Sequence, residues 1–240
     1  MLDQQIFTLV LIATIAGMAM PAGALLASID RIQPRWLEQE IRHGVIALGA
    51  GALISAVALV LVPDGIKHHS PFTATLCFAG GALFFMALDM YLAAHNTPAS
   101  QLAAMLGDFI PESIALGTTV ALGGGGTVLL GLLIAVQNLP EGFNAYREME
   151  SAGPRRPKNL IRKFTMLALL GPLMALVGYY WLSHYPVWTG GIMLFAAGGI
   201  LYSVFQDIAP QIRMNKRWLP PMGGIIGFLI GMVGFMVEGG

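Results

Sequence analysis

Two stretches of related pattern, Asp108-Phe109-Ile110-Pro111-Glu112-Ser113 and Gln137-Asn138-Leu139-Pro140-Glu141-Gly142, set a Pro-Glu pair in the middle of long apolar runs. On a helix, Asp108 and Glu112 share one face about a turn apart, and so do Gln137 and Glu141. Facing each other, the two pairs bring together three carboxylates and an amide. In lipid such a group repels itself and is expensive to desolvate unless protons or a divalent cation sit among its oxygens. Pro111 and Pro140 cannot donate to the carbonyls of Gly107 and Val136, which leaves further oxygen acceptors a turn before each Glu. The chemistry implied is coordination of a hydrated cation, or a polar water path with the acids protonated. A proline kink with an interhelical Glu hydrogen bond explains one such copy; two matched copies point to a polar site between two membrane helices.

The elements that must position these residues are built for lipid. Of 240 residues 56% are hydrophobic and 11% charged, and the mean hydropathy is +0.70, which fits poorly with a soluble surface. Eight apolar segments of spanning length can be counted, at about 5–29, 44–66, 71–94, 101–121, 126–149, 161–183, 187–210 and 217–237. The expected fold is an all-α integral membrane protein, a single transmembrane domain over residues 1–240 in a plasma or inner membrane. The opening Met-Leu-Asp-Gln-Gln has no basic leader, so the first segment is expected to be a retained span. Glycines are frequent throughout, as close helix packing in lipid requires.

Basic residues give an orientation. Arg31, Arg35 and Arg42 lie between segments one and two. Arg147, Arg155, Arg156, Lys158, Arg162 and Lys163 surround the loop between five and six, and Arg213, Lys216 and Arg217 lie between seven and eight. Only Lys67 falls on the opposite side. By the positive-inside rule both termini face outside and the basic loops face the cytoplasm.

The chain also repeats weakly. Laying Pro63 over Pro210 aligns Ala50-Gly51 with Ala197-Gly198 and Val57 with Val204; laying Gly81 over Gly231 aligns Phe78, Phe85 and Met86 with Phe228, Phe235 and Met236. Helix two thus resembles helix seven and helix three resembles helix eight, with opposite directions through the membrane. That is the mark of an inverted repeat, here three helices, a central pair and three helices again.

Other polar residues extend or exclude functions. Gln206 and Asp207, before Pro210, are candidates for an inward continuation of a cation path, although a helix-end carboxylate at the interface is an equal reading for Asp207. Asp64, after Pro63, is a candidate outer entrance, with the interfacial reading favoured; His68 and His69 in the following loop are candidates for metal capture, with simple solvation favoured. Asp89 and Glu238 read as interfacial, and Cys77 as a small buried hydrophobe. His43, His95 and His184 flank spans, so no imidazole lies mid-membrane, and no His-Glu-x-x-His occurs. No nucleophile-base set is visible, so the expectation is that the protein is not an enzyme. The basic loops are explained by orientation and anionic lipid, not by nucleic acid.

These residues resemble the ZIP (Zrt/Irt-like protein) family of divalent metal transporters, over essentially the whole chain. In that family helix four carries a His-Asn-x-Pro-Glu-Gly type motif and helix five a related one, within eight helices arranged 3+2+3. Pro111-Glu112 and Gln137-Asn138-Leu139-Pro140-Glu141-Gly142 are similar to these; Gly171-Pro172-Leu173 resembles the helix-six motif, and Gln206-Asp207-Ile208-Ala209-Pro210 the helix-seven segment. Asp108 stands in place of the usual His, Phe109 in place of Asn and Gly171 in place of a helix-six Glu, and the long His-rich loop between helices three and four is missing. The resemblance implies metal ligation by Asp108, Glu112, Gln137 and Glu141, with Asn138 kept from a second site that has lost two ligands, so one principal metal is expected.

The expected function is ZIP-like transport of a divalent cation, the metal being cargo. An oxygen-only site suits Mn²⁺, Mg²⁺ or Ca²⁺, with Fe²⁺ also compatible, and weakens the usual case for zinc. Two alternatives stand beside it: a transport-inactive homologue acting as a metal sensor or membrane scaffold, and a proton-coupled carrier of a non-metal solute. Small-residue helices together with the resemblance imply a homodimer in the bilayer.

Overall fold

The computed structural model describes residues 2–29, 35–95, 100–122, 127–151, 157–212 and 219–239. Among these residues the chain is almost entirely helical, without strands. The helices are α1 (Leu2–Ile29), α2 (Arg35–Ala56, continued by a π turn Val57–Leu61 and by Val62–Ile66), α3 (Pro71–Ala94), α4 (Ser100–Ala121) and α5 (Thr127–Ser151). They are followed by α6 (Pro157–Ala168 and Leu170–Tyr180, bent at Leu169), α7 (Pro186–Ser203, continued by a π turn Val204–Ile208 and by Ala209–Ile212) and α8 (Leu219–Gly239). The start of α2 lies well before the expected 44, so its polar first turns continue the apolar span as one helix.

Seven of these helices are long and apolar enough to cross a membrane, which marks the chain as an integral membrane protein. The helix outside that set is α4. It has the length, but Asp108, Glu112, Ser113, Thr118 and Thr119 lower its hydropathy. Its polarity is explained by its place in the bundle: Asp108, Glu112, Ser113 and Thr118 are all buried in protein.

Close backbone contacts decide which helices pair. Gly44, Leu48 and Ser55 of α2 meet Gly223, Gly227 and Gly231 of α8 in ascending order, so these two helices run parallel. The same kind of approach joins α3 to α7, where Gly81 lies on Phe195, α1 to α5, where Gly23 lies on Leu139, and α4 to α6, where Gly178 lies on Ile114. Without a hydrophobic force between helices in lipid, such backbone proximity and the dispersion contacts it allows hold the bundle together. α4 and α5 also pack on each other, α5 touches α2, and α4 touches α7. The apolar stretches of α2, α5 and α7 are 67%, 56% and 61% buried, against 11% for α3 and 17% for α8, so the latter two form the rim.

Two irregularities coincide under the sequence alignment of Pro63 with Pro210. The π turns Val57–Leu61 and Val204–Ile208 then superpose residue for residue, each two residues before its proline. A proline cannot complete the backbone ladder behind it, and the wider π turn absorbs the mismatch. In α3 and α8 the packing gives a register one turn away from the alignment of Gly81 with Gly231. Gly81 lies on Phe195 and Gly227 lies on Leu48, and Phe195 and Leu48 are themselves matched when Pro63 is laid over Pro210. Backbone proximity, not side-chain likeness, fixes that register.

Candidate cation site between α4 and α5

Pro111 and Pro140 interrupt neither helix; α4 and α5 run continuously through them. The two Pro-Glu stretches therefore keep helical spacing, and their polar faces meet. Gln137 Nε2 donates a hydrogen bond to Glu112 Oε2, joining the two stretches directly. Glu112, Gln137 and Asn138 have no exposed surface and Asp108 is 3% exposed. Asn138 is fixed from α1, donating through Nδ2 to Ala16 O at 3.0 Å. Glu141 is partly buried and lies within electrostatic reach of both Asp108 and Glu112. All five residues singled out from sequence are thus placed on the inner faces of α4 and α5.

The cluster is rich in acceptors and poor in donors. Glu112 Oε1, Gln137 Oε1, Asn138 Oδ1, Glu141 Oε2 and Asn144 Oδ1 are buried, and none meets a hydrogen-bond donor among the described residues. Each such oxygen costs about 1–3 kcal/mol when left without a partner. Buried acceptors left without donors along these two helices are what a cation, or protons on the acids, would satisfy. Among the described residues no three of His, Cys, Asp or Glu converge closely enough to hold a metal by themselves. Any metal held here must therefore take amide oxygens from Gln137, Asn138 or Asn144, or keep part of its water, as hard cations do.

Asn144 escaped the sequence reading. Its signal was periodicity: Gln137, Glu141 and Asn144 recur along one face of α5, and the polar stripe did not stop at the Pro-Glu pair.

Phe109 does not point to the oxygens. It is 1% exposed, and its ring fills the space between α1 and α6, against Gly17 and Gly171. Gly171 is the wall that accepts this ring.

The expected entrance residues divide. Asp64 and His68 line a cavity of about 330 Å³ together with Lys67, Thr118, Thr119 and Thr189. Thr119 lies two turns along α4 from Glu112 on the same face, so this cavity opens above the cluster. Lys67 Nζ sits 2.6 Å from Asp64 Oδ1. His69 does not line that cavity; its ring lies against Gly190 at the cavity wall, with Nε2 bonded to Val187 O at 2.9 Å. Of the expected inward path, Gln206 is exposed in an apolar groove of about 320 Å³ with Phe78, Ala82, Tyr202 and Phe205, on the α3 side of α7. The side chain of Asp207 lies outside the described residues; its backbone belongs to the π turn of α7. Asp89, read as interfacial, accepts from Tyr202 OH at 3.3 Å and ties α3 to α7.

Fold and site together define a helical membrane protein with an oxygen-lined polar centre between two helices. Compared with known proteins, the chain matches no family model and no curated sequence.

Proposed function

We propose that this protein carries divalent cations across the membrane, in the manner of the ZIP family that its sequence resembles, through the oxygen cluster of α4 and α5. The single observation that carries this reading is the set of buried acceptor oxygens on Glu112, Gln137, Asn138, Glu141 and Asn144 that meet no donor among the described residues. A divalent cation passing between these helices exchanges hydration water for carboxylate and amide oxygens, and oxygen-only ligation favours Mn²⁺, Mg²⁺, Ca²⁺ or Fe²⁺ over a strict preference for zinc.

Three further features support a ZIP-like plan of three helices, a central pair and three helices. The coincident π turns of α2 and α7, the matched pairings α2 with α8 and α7 with α3, and the matched pairings α1 with α5 and α6 with α4 all follow one exchange of halves. In an inverted repeat such exchange gives two alternative states, one open to each side. The basic residues Arg42, Lys158, Arg162 and Lys163 support reading their end of the bundle as cytoplasmic under the positive-inside rule, with the Asp64 cavity and both termini on the outer side in that reading.

Proton carriage by the same glutamates is the second reading. It is favoured by the absence, among the described residues, of three metal-ligating acids or histidines at one point. Uptake of Mn²⁺, Fe²⁺, Zn²⁺, Ca²⁺ and Mg²⁺ into proteoliposomes separates the two. Wild-type uptake of at least one ion, lost in Glu112→Ala and Glu141→Ala, is expected. Equal uptake of every ion by wild type and both variants, or pH-driven solute flux without divalent ions, would remove the metal reading.

A further inference from the structure

We propose that Asn144 forms a second oxygen station for the cation, one turn along α5 from Glu141 toward the end of the bundle that carries Lys158 and Arg162. The inference rests on the cation-carrier reading and deepens it by giving the ion an inward route. Asn144 Oδ1 is buried and meets no donor among the described residues, and Glu141 Oε2, three residues before it, is in the same condition. Residues three apart on a helix are neighbours on its surface, so one ion can take oxygen from both. The flanks of this stripe are closed by packed helices. Pro140 packs on Gly49 of α2, while Leu139, Gly142 and Phe143 pack on Gly23 and Met20 of α1. On the face of α5 that carries Gln137, polar residues recur at Glu141, Asn144 and Glu148, with Arg147 and Glu150 beside its end. The alternative inward residue Gln206 faces the apolar groove beside α3 instead.

An amide oxygen suits a station of this kind. It is neutral, so it holds a hard cation less firmly than a carboxylate and lets it leave, and a site that conducts must release as well as bind. Glu112, Gln137 and Glu141 bind, and Asn144 passes the ion on with water completing its shell.

The test uses the full chain in proteoliposomes and in detergent. It compares wild type with Asn144→Leu, similar in volume, and with Asn144→His, which offers a softer nitrogen. Thermal unfolding of each variant checks that the fold is kept. In Asn144→Leu the Mn²⁺ uptake rate is expected to fall about tenfold, a ligand-shell effect of ordinary size, while equilibrium Mn²⁺ binding weakens less than in Glu141→Ala, which removes a carboxylate. With Co²⁺, Asn144→His is expected to change the visible absorption bands and to shift uptake toward Co²⁺ and Zn²⁺. Wild-type uptake rate in a folded Asn144→Leu, or a Co²⁺ spectrum unchanged in Asn144→His, would overturn the station while leaving the carrier reading intact. A wild-type protein that binds no divalent ion overturns both.

Discussion

The ring of Phe109 is packed against Gly171: a Cβ placed on Gly171 would stand 2.5 Å from Cζ of that ring, and one on Gly17 would stand 3.1 Å from the same atom. A large residue in the middle of α4 and small ones on the two helices facing it are complementary shapes. Phe109 in α4 and Gly171 in α6, two of the positions at which the sequence differs from the pattern it resembles, are therefore the two sides of one contact. Gly171→Ala is expected to destabilise the protein by about 1–3 kcal/mol through overpacking. Phe109→Leu in the same chain should recover part of that loss, and a double-mutant cycle of thermal unfolding in detergent measures the coupling. Additive effects would show that the two residues do not share a packing space.

Gln137 is the single donor of the described cluster that reaches Glu112. Gln137→Leu keeps the volume and removes the amide, so it leaves a buried carboxylate without that donor. A stability loss of about 1–3 kcal/mol is expected. If the cluster binds a divalent cation, its affinity should fall by roughly 10- to 100-fold as well. Unfolding and metal titration on the same preparation read both quantities, and an unchanged affinity with lowered stability would make Gln137 a structural residue only.

Gly80 and Gly81 are neighbours in α3 with opposite surroundings. Nothing lies within 4 Å of a Cβ on Gly80, whereas a Cβ on Gly81 runs into the backbone oxygen of Phe195 in α7. Gly80→Ala should be neutral or stabilise by up to about 1 kcal/mol through helix propensity. Gly81→Ala should destabilise, because a helix backbone cannot step aside as a side chain can. The sign of the two melting shifts decides whether the α3 to α7 contact is as close as described.

Lys67 and Asp64 form an ion pair at 2.6 Å in the cavity above the cluster, with Lys67 64% exposed. An exposed pair of this kind contributes little to folding, about 0–1 kcal/mol at most. Its effect on cations entering the cavity should be larger. Lys67→Gln uncovers the Asp64 carboxylate and should lower the ion concentration for half-maximal uptake, while Asp64→Asn should raise it. Shifts in the same direction, or none, would remove this pair from the route.

Much of this molecule was legible in the chain itself. The span lengths, the polar stripe of Asp108 and Glu112 and that of Gln137 and Glu141 follow from helical period alone, because in lipid every backbone group must be satisfied within its own helix. The likeness of α2 to α7 was readable from Pro63 and Pro210, since a proline disturbs the backbone wherever the chain later packs. What the sequence could not show is which faces meet. Asn144 joins the oxygens, Gln206 turns to an apolar groove, Phe109 fills the gap at Gly171, and Gly81 corresponds in packing to Gly227. Each depends on how closely two backbones approach, a property of helix pairs that no single helix carries.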